Sequence, residues 1–132
     1  MSESIMLINT MRNVPGKLEE FRQSVERSIA FVEAHGPQLM VQVYIDEEAM
    51  RAHSFQFYRD SASVLAHWEL SDPYIRDVSQ FITVERLDLY GQPDEVVLAG
   101  VRRFSEQGVS LTVTPYLDGF TRFPADSDDS MR

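Results

Sequence analysis

Residues 54–91, SFQFYRDSASVLAHWELSDPYIRDVSQFITVERLDLYG, carry the reading that decides the fold. An alternating run opens the segment. A short helix follows, with Val64, Leu65 and Trp68 as its apolar face and Ser61 or Ser63 as its candidate cap. Ser71-Asp72-Pro73 then breaks that helix and starts another, because proline is tolerated in a first helical turn. Tyr74, Val78 and Phe81 or Ile82 share the inner face of the second helix, and residues 84–90 return as a strand.

Upstream, residues 5–11 form a short apolar strand that ends in a turn at 13–16. Leu18, Phe21, Val25, Ile29 and Val32 then recur at helical spacing, with Glu19, Glu20, Arg22 and Glu26 on the other side. His35-Gly36-Pro37 stops this helix. Residues 39–46 and 53–59 alternate about a charged turn and pair as a hairpin. The order βαββαβ defines an α+β, ferredoxin-like fold: a four-stranded antiparallel sheet with both helices on one face. A helix at 94–104, a strand at 109–114 and an extended piece to residue 123 add a C-terminal extension.

The chain therefore reads as one domain, 1–123, with its core at 5–90 and its extension at 94–123. Residues 124–132 form an acidic tail whose composition predicts disorder. Four strands already complete the sheet, so the strand at 109–114 is expected to cross to a partner protomer's edge.

Composition narrows the function classes. A chain of 132 residues with 43% hydrophobic residues buries roughly two thirds of its unfolded surface. No apolar run nears the roughly 20 residues that span a bilayer, and the N-terminus lacks the pattern of a signal peptide. Zero cysteines rule out a thiolate nucleophile and cysteine-ligated metals, and a cytoplasmic location is the simplest expectation. A net charge of −9, with one lysine and scattered arginines, argues against nucleic acid as a partner.

Period-2 alternation also assigns the sheet's faces. Val41, Val43, Ile45, Phe55 and Phe57 are expected to face the helices. The opposite face then carries Gln42, Tyr44, Gln56, Tyr58, Arg86, Asp88 and Tyr90, while Asn9 goes with Ile5 and Leu7. Tyrosines, amides and one Arg/Asp pair suit a partly closed pocket for a small molecule. A solvated sheet face has the same composition.

With these residues in place, the chain resembles the antibiotic biosynthesis monooxygenase (ABM) family of dimeric α+β barrels. The likeness runs in pattern over 5–90 and is closest over 54–91; residues 109–123 look like the tail of many members. The resemblance implies a homodimer packed sheet on sheet, with a ligand cavity between each protomer's sheet and helices. It implies a monooxygenase that acts on a hydroxylated, quinol- or anthrone-like aromatic with O2 and without metal, flavin or haem. Trp68 and Tyr74 fall on the family's catalytic tryptophan and tyrosine, and Asn9, Tyr44, Tyr58 and Arg86 are the expected pocket residues. The family's asparagine, four residues before the tryptophan, falls on Val64, which cannot hydrogen-bond a substrate oxygen. A haem-degrading branch shares Asn9 and Trp68, but its iron-ligand position holds Val78, so haem binding is not expected.

Each residue also has a plainer role. A lone tryptophan on an amphipathic helix packs a core, and Tyr74 after Asp-Pro makes a staple-like contact. Arg86 and Asp88, two apart on a strand, read as a cross-strand ion pair or as an anion clamp. His67 sits about 100° around the helix from Trp68 and, like His53, is expected at a rim rather than as a general base. No HxxxH, Ser/His/Asp or GxGxxG pattern is present. Three classes stay open: an oxygenase, a small-molecule binding module with the same cavity, and a structural dimer.

Overall fold

The computed structural model describes residues 3–122, so the acidic tail lies outside the described residues. Its elements are β1 (Ile5–Asn13), α1 (Leu18–His35), β2 (Met40–Asp46), β3 (Arg51–Tyr58), α2 (Ser61–Leu70), α3 (Asp72–Ser79), β4 (Ile82–Tyr90), α4 (Glu95–Glu106) and β5 (Ser110–Thr114). The sheet order is β2-β3-β1-β4-β5. The first four strands pair antiparallel, as the ferredoxin-like reading requires. β5 departs from expectation: it pairs in parallel with β4 of its own chain, with Leu87 opposite Leu111 and Leu89 opposite Val113. The helix between them makes this possible, since parallel neighbours need a long crossover and α4 supplies it.

Helix boundaries follow local chemistry. Asp60, not Ser61 or Ser63, caps α2 by accepting the Ser63 N–H at 2.9 Å. Ser61 Oγ instead accepts the Asp94 N–H at 2.9 Å and ties the start of α4 to the start of α2. Asp94 in turn caps α4 through the Val97 N–H. On the other side of the layer, Asp77 of α3 accepts from Ser24 and Arg27 of α1, and Phe31 stacks on Tyr74. Among the described residues no helix is long and apolar enough to cross a membrane.

Pairing register corrects one sequence-based assignment. Val41 lies opposite Gln56 and Val43 opposite Ser54, while Gln42 lies opposite Phe55. Directly paired residues share a face. Ser54, Gln56 and Tyr58 therefore face the helices, and Phe55 and Phe57 face away. On β1 the helix side holds Ile5, Leu7, Asn9 and Met11. A bulge between Thr10 and Met11 keeps both Val84 and Leu87 on that side of β4.

Two apolar clusters fill the helix–sheet layer. Ile5, Tyr58, Val64, Leu89, Val97 and Val101 form one, with Trp68 and Leu111 against it. Met11, Phe21 and Ala52 form the other, with Val25, Val78 and Val84 around them. Burying each large side chain contributes about 1.5–3 kcal/mol. Between the two ends of β1 stands Asn9, and the layer there is not filled.

Candidate functional site

A cavity of about 170 Å³ lies between sheet and helices, walled by Met11, Phe21, Val25, Val78 and Val84 and floored by Asn9, Ser54 and Gln56. Gln38, His67, Ile75 and Phe104 complete it from the α1–β2 loop and from α2, α3 and α4. The inverted alternation of β3 produces this polar floor. Gly36 admits the Gln38 side chain, for a Cβ there would lie 2.6 Å from Gln38 Oε1.

The polar groups form one chain of hydrogen bonds. Tyr58 is fully buried, and its hydroxyl donates to Gln56 Oε1 at 2.8 Å; burial pushes its pKa well above the ordinary tyrosine value. Gln56 Nε2 donates to Ser54 Oγ at 3.2 Å. Gln38 Nε2 donates to Gln56 Oε1 at 3.0 Å and meets His67 Nδ1 at 2.9 Å. Ser71 Oγ, also fully buried, meets the same Nδ1 at 2.9 Å. With the Gln38 amide oriented this way it can only donate, so Nδ1 accepts and the ring proton sits on Nε2. Burial lowers the His67 pKa to about 4, and the ring is neutral at pH 7.

Two acceptors in the cavity wall are left over. Asn9 Oδ1 and Gln38 Oε1 are buried and have no hydrogen-bond partner. Leaving such a group unpaired costs roughly 1–3 kcal/mol, so each calls for an explanation, of which a bound group is one. Both are oxygens. They ask for a ligand that donates. Asn13, at the far end of β1, is likewise unpaired at both amide atoms but does not line the cavity.

The sequence-predicted residues separate into three places. Asn9 lines the cavity and Tyr58 anchors its hydrogen-bond chain. Trp68 packs over Gly100 of α4, where a Cβ would lie 2.5 Å from the indole. It lines a second hollow, a surface groove of about 340 Å³ that shares Ile75 and Phe104 with the cavity. Tyr74 stacks on Phe31 with ring centroids 4.4 Å apart.

Tyr44 and Arg86 lie on the face away from the helices. Tyr44 is 58% exposed and edge-on to Phe55. Arg86 pairs along its own strand with Asp88 at 2.8 Å, not across strands; the cross-strand partner of Asp88 is Thr112 on β5. Burial raises the Asp88 pKa, but the hydrogen bonds from Arg86 and Thr112 outweigh it and hold the carboxyl below its usual range. The structure thus does not bring Tyr44 and Arg86 to Trp68.

Sequence reasoning missed His67 and Gln38. His67 is only 6% exposed and faces the cavity, not a rim. The helical offset from Trp68 contained that signal: with the indole turned to α4, the imidazole turns to the sheet. Gln38 sits in a loop where no periodicity marks it.

The architecture has solved counterparts. MupZ from Pseudomonas fluorescens superposes with a TM-score of 0.75 at 15% identity, over 92% of this chain and 97% of its own. SnoaB, a cofactor-independent oxygenase from Streptomyces nogalater, gives 0.59 at 13% identity over 72% of this chain and 98% of its own. A candidate antibiotic biosynthesis monooxygenase from Caulobacter crescentus gives 0.56 at 17% identity over 64% and 87%. No protein-family model and no curated protein sequence matches the chain. At these identities the likeness is one of fold.

Proposed function

From the antibiotic biosynthesis monooxygenase-like fold that this chain has, we propose that it binds a compact hydroxylated aromatic between sheet and helices and oxygenates it with O2, with no resident cofactor. The observation that carries the reading is the pair of unpartnered acceptors, Asn9 Oδ1 and Gln38 Oε1, beside a buried neutral His67 in a cavity with apolar walls and a polar floor. A cavity of about 170 Å³ matches a single ring in size, for an apolar cavity of roughly 150 Å³ holds benzene. The acceptors suit phenolic hydroxyls, and the Met11–Val84 wall suits the ring.

The chain's residues would act as follows. Asn9 and Gln38 orient the hydroxyls. Gln38 and Ser71 both meet His67 Nδ1, so His67 takes the phenolic proton as general base only once both have turned from it, and the phenolate formed beside the ring raises its basicity in the complex. The resulting imidazolium is stabilised by the phenolate beside it. The phenolate adds O2 at a ring carbon; loss of water from the peroxide leaves a quinone carbonyl. One oxygen atom enters the product, the other leaves as water, and the substrate supplies all the electrons. Trp68 lines the groove, beside the Ile75 and Phe104 that groove and cavity share. The reading takes the protein as a cytoplasmic homodimer joined through its open sheet face.

A binding module without turnover is the second reading. Two observations favour it: Val64 is in the core and offers no polar group, and Nδ1 is engaged twice. Oxygen uptake with single-ring phenols and hydroquinones distinguishes the two. We expect uptake above buffer, one O2 per product, and a kcat at least tenfold lower in His67→Gln. Asn9→Leu should fold but lose ligand binding. Binding without uptake leaves the second reading, and no binding at all removes both.

A further inference from the structure

We infer that the substrate's ring carries an anionic tail, which leaves the cavity between α3 and α4 and lies in the Trp68 groove against Arg103. This rests on the reading that the cavity receives the ring, and it adds how the remainder of the molecule is held. Ile75 of α3 and Phe104 of α4 are the connection, because both line the cavity of about 170 Å³ and the groove of about 340 Å³. Each is 38% exposed. Side chains this exposed change rotamer on the picosecond-to-nanosecond timescale, so the two that line both hollows can open a passage between them. The cavity alone holds about one ring, while the groove falls in the range of small-ligand pockets.

Charge selects the tail. The groove holds two charged side chains, Asp72 and Arg103. Asp72 is paired with Arg76 at 2.7 Å. Arg103, in the last turn of α4, has no ion-pair partner among the described residues. An uncompensated guanidinium beside an indole is a specific feature on a chain of net charge −9. Its planar fork of donors fits a carboxylate. The indole supplies an apolar wall for the carbons between ring and carboxylate. An anion of this kind is otherwise repelled by the protein's overall charge, so the local cation decides where it docks.

Equilibrium binding of 4-(4-hydroxyphenyl)butanoate, its methyl ester and 4-butylphenol to the full chain tests this. The reporter is fluorescence of Trp68, the chain's one tryptophan. The acid should bind about three- to fivefold tighter than the ester at low salt, the scale of one exposed ion pair. That ratio should fall to about one in Arg103→Gln and near roughly 1 M salt. Arg103→Glu should reverse the preference toward 4-(4-hydroxyphenyl)butylamine. Equal binding of acid and ester by the wild-type chain, or an advantage that survives Arg103→Gln, overturns the tail while leaving the cavity reading in place. Failure of all three ligands to bind overturns both.

Discussion

His67 is the residue of the site whose shifted pKa acts closest to neutral pH. Its folded pKa, lowered to about 4 by burial, lies below the ordinary value of 6.5. The unfolded chain therefore binds more protons than the folded one between those values, and stability rises with pH across that window. The contribution is fully present above about 6.5 and is lost as pH falls toward 4. Its size is of the order of 2–3 kcal/mol. Carboxylates titrate over part of the same range, so the difference between wild type and His67→Gln isolates the imidazole. We expect chemical denaturation of the wild type to show a loss between pH 6.5 and 4 that the variant lacks; parallel curves would show that His67 is solvated after all. A ligand that binds the neutral-ring form should raise the wild-type curve and lower the folded pKa further, which extends the loss below pH 4 without steepening it between 4 and 6.5.

At the scale of elements, the contact between α2 and α4 is set by one glycine. An exposed or neutral glycine-to-alanine change inside a helix stabilises by up to about 1 kcal/mol. At Gly100 the new Cβ would sit 2.5 Å from Cζ3 and 2.9 Å from Cη2 of Trp68. A packed indole ring cannot give way cheaply, so Gly100→Ala should instead destabilise by about 1–3 kcal/mol. Trp68→Leu in the same chain should recover much of that loss, and a double-mutant cycle from denaturation midpoints measures the coupling. Additive effects would place the indole away from α4.

This contact also shows where sequence patterns stop informing. The strand–helix–helix–strand order of 54–91 was legible because Pro73 and the 3.6-residue apolar spacing are local signals. The phase of β3 was not. Phe55 and Phe57 look like core residues by hydrophobicity, yet pairing to β1 and β2 turns Ser54 and Gln56 inward. A polar cavity inverts the usual rule that the apolar face is the buried one. Trp68 had the reverse fate, since its apolar partner lies on α4, outside the βαββαβ pattern that drew attention to it.

For the whole molecule, that inversion leaves an apolar face without helices over it. Met6 and Ile8 of β1 and Phe55 and Phe57 of β3 point away from the cavity, flanked by Tyr44 and Tyr90, which are 58% and 43% exposed. Beyond β5, Leu117 and Phe120 are 94% and 78% exposed. Charged groups on this face are paired: Arg12 and Arg51 share Glu85 at 3.1 and 2.7 Å, and Arg86 meets Asp88. Covering it would leave each of these groups in an ion pair with one arginine in excess, which reduces the penalty against burial without removing it. A second copy, packed sheet on sheet with apolar side chains interdigitating, is the partner we propose for this face. Two chains of net charge −9 repel at long range, so added salt should tighten the association rather than weaken it. Sedimentation at micromolar concentration should give a dimer for the wild type and a monomer for Phe55→Glu. That monomer should still bind phenols, because Phe55 and the cavity lie on opposite faces of the same strand. A wild-type monomer at tens of micromolar, in low and high salt alike, would mean that the open face serves something other than self-association. Loss of phenol binding in a folded Phe55→Glu monomer would show that the cavity depends on the second chain.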